Sequence, residues 1–207
     1  MEVELCECYT ESIEIVPFSD ADSCFIGSLW KFRDQLAKTP MLREDYMKEI
    51  KNESLTDYLY GEAVGELIFI KLQKPLIQNC DAYFNKMVET NEQAMADMKY
   101  TYDQAKLEFI KLLLTDGETA ELIWERGNYH LVQGDTQNAT NSYLKSLELT
   151  PDFIPAMLLM GWIHEQNRDF EQALHYYEKA QKLGMTPVIT LIEIIKRKSS
   201  TTSVHQH

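Results

Sequence analysis

Apolar residues recur along most of this chain at helical spacing. Ser19-Asp20-Ala21-Asp22-Ser23 offers N-capping side chains, and Phe25, Leu29, Phe32 and Leu36 follow on one face. Thr39-Pro40 stops that helix. A second helix is predicted from about Leu42 to Lys51. A third runs from about Thr56 to Gln73, with Leu59, Ala63, Leu67 and Ile70 on one side, and Pro75 breaks or kinks it. No Gly or Pro follows until Leu114 is passed, so this stretch is the longest candidate helix. Its apolar residues include Cys80, Phe84, Met95, Met98 and Tyr102, and its middle, Glu89 to Glu92, is polar. Residues 1–18 differ. Val3, Leu5, Tyr9, Ile13 and Ile15 share one parity, a weak strand signal that Glu7 and Glu11 interrupt, so an extended or poorly ordered segment is predicted.

The stretch from Ala120 to Pro187 contains one unit twice, offset by 34 residues. Gly127 falls on Gly161, His130 on His164, Asp135 on Asp169, Ala139 on Ala173 and Tyr143 on Tyr177. Each unit reads helix, short polar turn, helix, with Gly134-Asp135 and Arg168-Asp169 as turns and Pro151 and Pro187 as closures. A fixed period of this length points to a helical array, in which stacked hairpins share a continuous core. Gly inside a helix costs about 1 kcal/mol against Ala. Its repetition at one place implies that a second helix crosses there closely. Ala139 with Tyr143, and Ala173 with Tyr177 and Ala180, supply the facing small and large residues. His130 and His164 lie on the same face as the glycines and are predicted to face the core.

These residues resemble the tetratricopeptide repeat: a large residue, Leu-Gly, an aromatic, a small residue, an aromatic, a small residue and a closing Pro. The first copy gives Ile123, Arg126-Gly127, His130, Ala139, Tyr143, Ser146 and Pro151. The second gives Met157, Met160-Gly161, His164, Ala173, Tyr177, Ala180 and Pro187. The departures are Arg126 for an apolar residue and His for the first aromatic. The resemblance implies an all-α helical-repeat solenoid over 118–187, with an N-terminal helical region at 19–74. The segment 75–117 becomes a long helix ending in a degenerate half-repeat, in which Ala105, Phe109 and Leu112 stand at the core positions. A coiled-coil arm is the alternative for this segment. Val188, Leu191, Ile192 and Ile195 predict a capping helix over 188–198, and 199–207 reads as a disordered tail. Lys196-Arg197-Lys198 would complement the dipole at the end of that helix, or serve as a short nuclear-localisation signal.

The resemblance further implies a concave groove for a partner peptide or helix, lined by the first helices. Trp124, Asn128 and Leu131 form one stripe there, and Leu158, Trp162 and Glu165 form the next. Glu121 and Gln166 complete the set. The alternative is that the protein's own long helix or C-terminal cap fills this groove. Family members that clamp a chaperone's C-terminal carboxylate use Lys, Arg and Asn. Here Asn128 stands at one such place, but Trp124 replaces the usual Lys and Leu159 the second Asn, while Glu121 and Glu165 add negative charge. A carboxylate tail is disfavoured.

Charge narrows the partner. The net charge is −13, and residues 1–118 hold 12 basic and 23 acidic side chains, hence −11 of it. Such a field repels nucleic acid and anionic membranes; it reads as a solvated acidic face or as steering toward a basic partner, and the expected partner segment is apolar or basic-apolar. Apolar runs such as Leu67 to Ile70 are too short for membrane insertion, and the acidic start is not a secretory signal. Cys6, Cys8, Cys24 and Cys80 have no even spacing and read as ordinary thiols of a cytoplasmic or nuclear protein. Cys6-x-Cys8 is at most half a metal site, so no metal or cofactor is predicted. Ile13-Glu14-Ile15-Val16 amid acids resembles a SUMO-interacting motif. No catalytic motif appears, so the chain reads as a non-enzymatic adaptor that binds a protein segment in the groove. The alternative is a structural subunit docking through its long helix or N-terminal region.

Overall fold

A computed structural model describes residues 6–8, 71–102, 104–115 and 117–204. The helices predicted between 19 and 70, the strand signal outside 6–8 and the Ile13–Val16 motif lie outside the described residues. Among the described residues every regular element is helical. The chain divides into two compact units, Met1–Lys86 and Met87–His207.

In the first unit, residues 6–8 and 71–79 are helical. Pro75 therefore lies within helical backbone and does not end an element. Leu76, Ile77 and Tyr83 are buried, and the Tyr83 hydroxyl donates to Gln73 Oε1 at 2.8 Å. Cys80 interrupts the regular helix and then caps the next one: its Sγ accepts from the Tyr83 N–H at 3.4 Å, as an N-cap side chain does. Cys6 and Cys80, 74 apart in sequence, form a disulfide with Cα atoms 5.6 Å apart, and Cys8 is disulfide-bonded as well. The expectation of ordinary thiols is corrected here. Spacing along the chain carried no information about a pair that only folding brings within bridging distance.

The predicted 75–117 helix is divided. Helix α1 spans Asp81–Thr101 and begins in the first unit; α2 spans Gln104–Leu114. The break falls at Tyr102, which is buried and whose hydroxyl accepts from Asn128 Nδ2 at 2.8 Å. Restarting after Tyr102 resets the phase of α2. Leu107 and Ile110 are buried, whereas Phe109 is 55% and Leu112 64% exposed. The half-repeat alignment through Phe109 and Leu112 is thus rotated off the core.

Four helices carry the repeat: α3 Ala120–Val132, α4 Thr136–Leu149, α5 Ile154–Gln166 and α6 Phe170–Lys182. A 3₁₀ turn, Thr186–Val188, leads to α7, Ile189–Val204. From α2 to α7 each helix packs on its sequence neighbour, the stacking of a solenoid. Tyr143 and Tyr177 are fully buried beneath the glycines. A Cβ placed on Gly127 would lie 2.5 Å from a Tyr143 ring carbon, and one on Gly161 would lie 2.5 Å from the same atom of Tyr177. The inferred crossings are therefore real, and both need glycine.

The hairpin turns share one geometry. Gly134 N–H bonds Leu131 O and Asp135 N–H bonds His130 O; Arg168 and Asp169 do the same with Glu165 O and His164 O. This is the Schellman pattern, with a left-handed residue after the helix. Gly134 takes φ +80° there, and Arg168, at the equivalent place, takes +59°. Asp135 and Asp169 then cap α4 and α6 by accepting from the N–H of Asn138 and of Gln172.

The capping helix runs well past 198. Residues 199–204, expected as part of a disordered tail, are helical; 205–207 lie outside the described residues. The hydroxyls of Ser199, Ser200 and Thr201 donate to Lys196 O, Arg197 O and Arg197 O, so each is satisfied within the helix. Lys196 and Lys198 consequently lie mid-helix, paired with Glu193 and Glu165, and do not serve as terminal charges for the dipole. Advancing 34 residues from Gly161 reaches Ile195, which is fully buried. Helix α7 thus occupies the place of a third first helix, with a bulky residue where a crossing would demand Gly.

Gly161→Ala should lower stability by about 1–3 kcal/mol through overpacking against Tyr177. Arg168→Gly should raise it by about 1 kcal/mol by removing a left-handed non-glycine residue. Thermal melts of the two variants should shift in opposite directions. Non-reducing peptide mapping should recover Cys6 linked to Cys80. A reductant should then lower the melting temperature, since a bridge closing so long a loop contributes about 2–4 kcal/mol.

Candidate functional site

The first helices α3 and α5 carry the predicted groove residues. Trp124 and Trp162 are half-buried and pack on the cluster of Leu131, Ala139, Tyr143, Ala156, Met160 and Ile163. Trp124 meets Phe153 edge to face, centroids 6.0 Å apart. From α1, Met95 and Met98 pack on the same cluster. Between α1 and the repeats lies a cleft of about 250 Å³, lined by Met95, Met98, Lys99, Leu131, Trp162 and Gln166 among others. The indole N–H groups of Trp124 and Trp162 are buried and find no acceptor among the described residues.

The flanking chain covers both ends of this face. Asn128, expected as a groove residue, is fully buried. Its Nδ2 donates to the Tyr102 hydroxyl, and its Oδ1 accepts from the Tyr143 hydroxyl at 2.9 Å. Glu165 is 5% exposed. It accepts from Lys198 Nζ at 2.7 Å and from the Tyr177 hydroxyl at 3.3 Å. Leu131 belongs to the core. These three are therefore interior, because α1, α2 and α7 lie where an open array would leave them bare. Leu158 is half-buried and packs on the cluster of Ala173, Tyr177, Val188, Ile192 and Ile195. Glu121 and Gln166 are exposed. The sequence offered the long helix and the C-terminal cap as alternative occupants, without singling out Met95, Met98, Tyr102 and Lys198. The first three form an i, i+3, i+7 stripe, a legible signal, but nothing local aims it at the repeats.

The two repeat histidines, predicted to face the core, are instead partly exposed. Nδ1 of His130 lies 3.6 Å from Asp135 Oδ2, and Nδ1 of His164 lies 3.3 Å from Asp169 Oδ2. Each ring reaches the carboxylate that caps the following helix, and a polar ring satisfied this way has no reason to enter the core. His164 also stacks on Tyr176, centroids 5.6 Å apart. Bonds from the Asn138 side chain and N–H hold the Asp135 carboxyl below its ordinary range.

Electrostatically the interior favours neutral groups. Burial pushes the Tyr102 phenol up to about 12; the bond from Asn128 opposes this shift and nearby Glu125 adds to it. Burial also drives Tyr143 and Tyr177 far above the usual phenol range, helped by Tyr102 and Glu165 respectively. Such a network fixes packing. Among the described residues no three His, Cys, Asp or Glu side chains come together as metal ligands would, and no helix is long and apolar enough to cross a membrane.

Residues 154–183, which are α5, the following turn and all of α6, match the family model described as tetratricopeptide repeat. The α5–α6 hairpin is a tetratricopeptide repeat, and α3–α4 shares its residue pattern 34 positions earlier. A human protein, tetratricopeptide repeat protein 6, is 33% identical over 78 residues, 38% of this chain. The chain spans only 15% of that relative's length. No solved structure matches. Tetratricopeptide repeats generally mediate contacts between proteins, and the fold is typically non-catalytic.

The buried phenols give the repeats a pH limit. Unfolded tyrosine ionises near 10, while Tyr102, Tyr143 and Tyr177 ionise higher in the fold. Their contribution is complete below about pH 10 and is lost as pH rises toward 12 and beyond, because only the unfolded chain ionises readily. Phenolate absorbance and far-ultraviolet circular dichroism, followed together, should show part of the tyrosine ionisation arriving with the loss of helix.

Proposed function

We propose that this protein is a non-catalytic adaptor whose concave face, around Trp124, Leu158 and Trp162 with Glu121 and Gln166 at its rim, receives an apolar or basic-apolar helical segment of another protein. The supporting observation is the seating of Met95 and Met98 against the cluster that both tryptophans join. The face accepts long apolar side chains presented one helical turn apart, and the net charge of −13 favours a basic bearer.

A second reading is a structural subunit of a stable complex. The exposed Phe109 and Leu112 on α2, three positions apart, favour it, as does the coverage of the concave face by α1. The disulfide-bonded Cys6, Cys8 and Cys80 support an oxidising compartment over the cytoplasm or nucleus expected from sequence.

Trp162→Ala should weaken partner capture by at least about 2 kcal/mol while the repeats still melt cooperatively. Phe109→Glu should leave that binding intact. If Phe109→Glu abolishes capture and Trp162→Ala does not, the subunit reading replaces the adaptor reading.

A further inference from the structure

The occupant of the concave face fits it poorly. Within residues 87–101 of α1 no residue is buried, and Tyr100 is 91% exposed. Met95 and Met98 reach the repeat core, yet a cleft of about 250 Å³ remains beside them. Two buried indole N–H groups stay without acceptors among the described residues, and an unmet buried donor is destabilising. Charge matches no better. The stretch carries Glu89, Glu92 and Asp97 against Lys99, within the first 118 residues that hold −11 of the net charge of −13. What keeps it in place is proximity: Tyr102 follows directly and is anchored to Asn128, so the local concentration of α1 at the face is high.

Building on the adaptor reading, we propose that residues 87–101 are a displaceable internal occupant, and that the segment replacing them is a basic amphipathic helix. That helix carries two long apolar side chains three or four positions apart and a side-chain oxygen acceptor for the tryptophan N–H groups. Binding then exchanges an acidic, loosely packed helix for one of complementary charge. The repeats remain folded during the exchange, because the Gly127–Tyr143 and Gly161–Tyr177 crossings do not involve α1.

Two measurements test this. In the wild-type chain, hydrogen exchange of the 87–101 amides should run at least about tenfold faster than that of the α3–α6 helices, the signature of local opening. Second, a labelled synthetic peptide of residues 87–101 carrying Glu89→Lys, Glu92→Lys and Asp97→Lys serves as probe. It should bind a Met95→Ala, Met98→Ala chain at least about tenfold more tightly than wild type, and lose that binding on Trp162→Ala. If 87–101 exchanges in step with the repeats and the peptide binds both chains equally, α1 is an integral element. The displacement is then overturned, while dependence on Trp162 preserves the adaptor reading. If the peptide binds neither chain, both are overturned.

Discussion

The contact between a helix-interior glycine and a tyrosine ring sets the geometry of this array. A Cβ at Gly127 or Gly161 would overlap the ring of Tyr143 or Tyr177, so each hairpin closes to a distance that only hydrogen allows. Each ring then brings its hydroxyl into the interior, and a buried hydroxyl requires a partner. Asn128 answers Tyr143 and Glu165 answers Tyr177. The packing choice thus dictates the polar one. Two crossings that look interchangeable by steric criteria have different acceptors, and each acceptor recruits a further group from outside the repeats.

That recruitment explains how so short an array avoids exposed ends. Two hairpins have few neighbours with which to share apolar surface, and solenoids normally rely on capping elements. Here Tyr102 completes Asn128 at one end and Lys198 completes Glu165 at the other. Both are buried charge or dipole contacts in which an unpaired member would be costly. The flanking segments are therefore held by specific polar bonds as well as by apolar contact. Met95 and Met98 cover the middle with flexible side chains that conform to an uneven surface.

Local spacing made the repeats legible. The glycines, the small residues, the tyrosines and the turns all recur 34 residues apart, and every one occupies the predicted role. What sequence did not reveal was set by tertiary contact. Nothing near Tyr102 breaks a helix, since neither Gly nor Pro is close by; its side chain turns inward to reach Asn128, 26 residues on. Nothing in the Ser199-Ser200-Thr201 run favours a helix, and in the fold its hydroxyls are satisfied by the preceding carbonyls. The bridge between Cys6 and Cys80 depends on the fold of the first unit. Asn128 and Glu165 stood on the predicted stripe, but a stripe defines a direction on a helix and does not say what covers it.

Comparing the two repeats position by position separates scaffold from contact. Gly127 and Gly161, Ala139 and Ala173, Tyr143 and Tyr177, and Asp135 and Asp169 are identical, and each holds a hairpin together or starts a helix. On the concave side the pairs diverge. Asn128 is matched by Trp162, Leu131 by Glu165, and Trp124 by Leu158. A repeat meets its own interior twice, so selection on packing keeps the copies alike. It meets flanking chain of different chemistry at each end, so the contact positions differ. Asn128 meets Tyr102 and Glu165 meets Lys198, and neither residue recurs at its equivalent place in the other repeat. Trp124 and Trp162 have no such polar partner, and their N–H groups remain unanswered within the described chain. In the proposed adaptor reading they are the positions of the concave face that meet the partner segment.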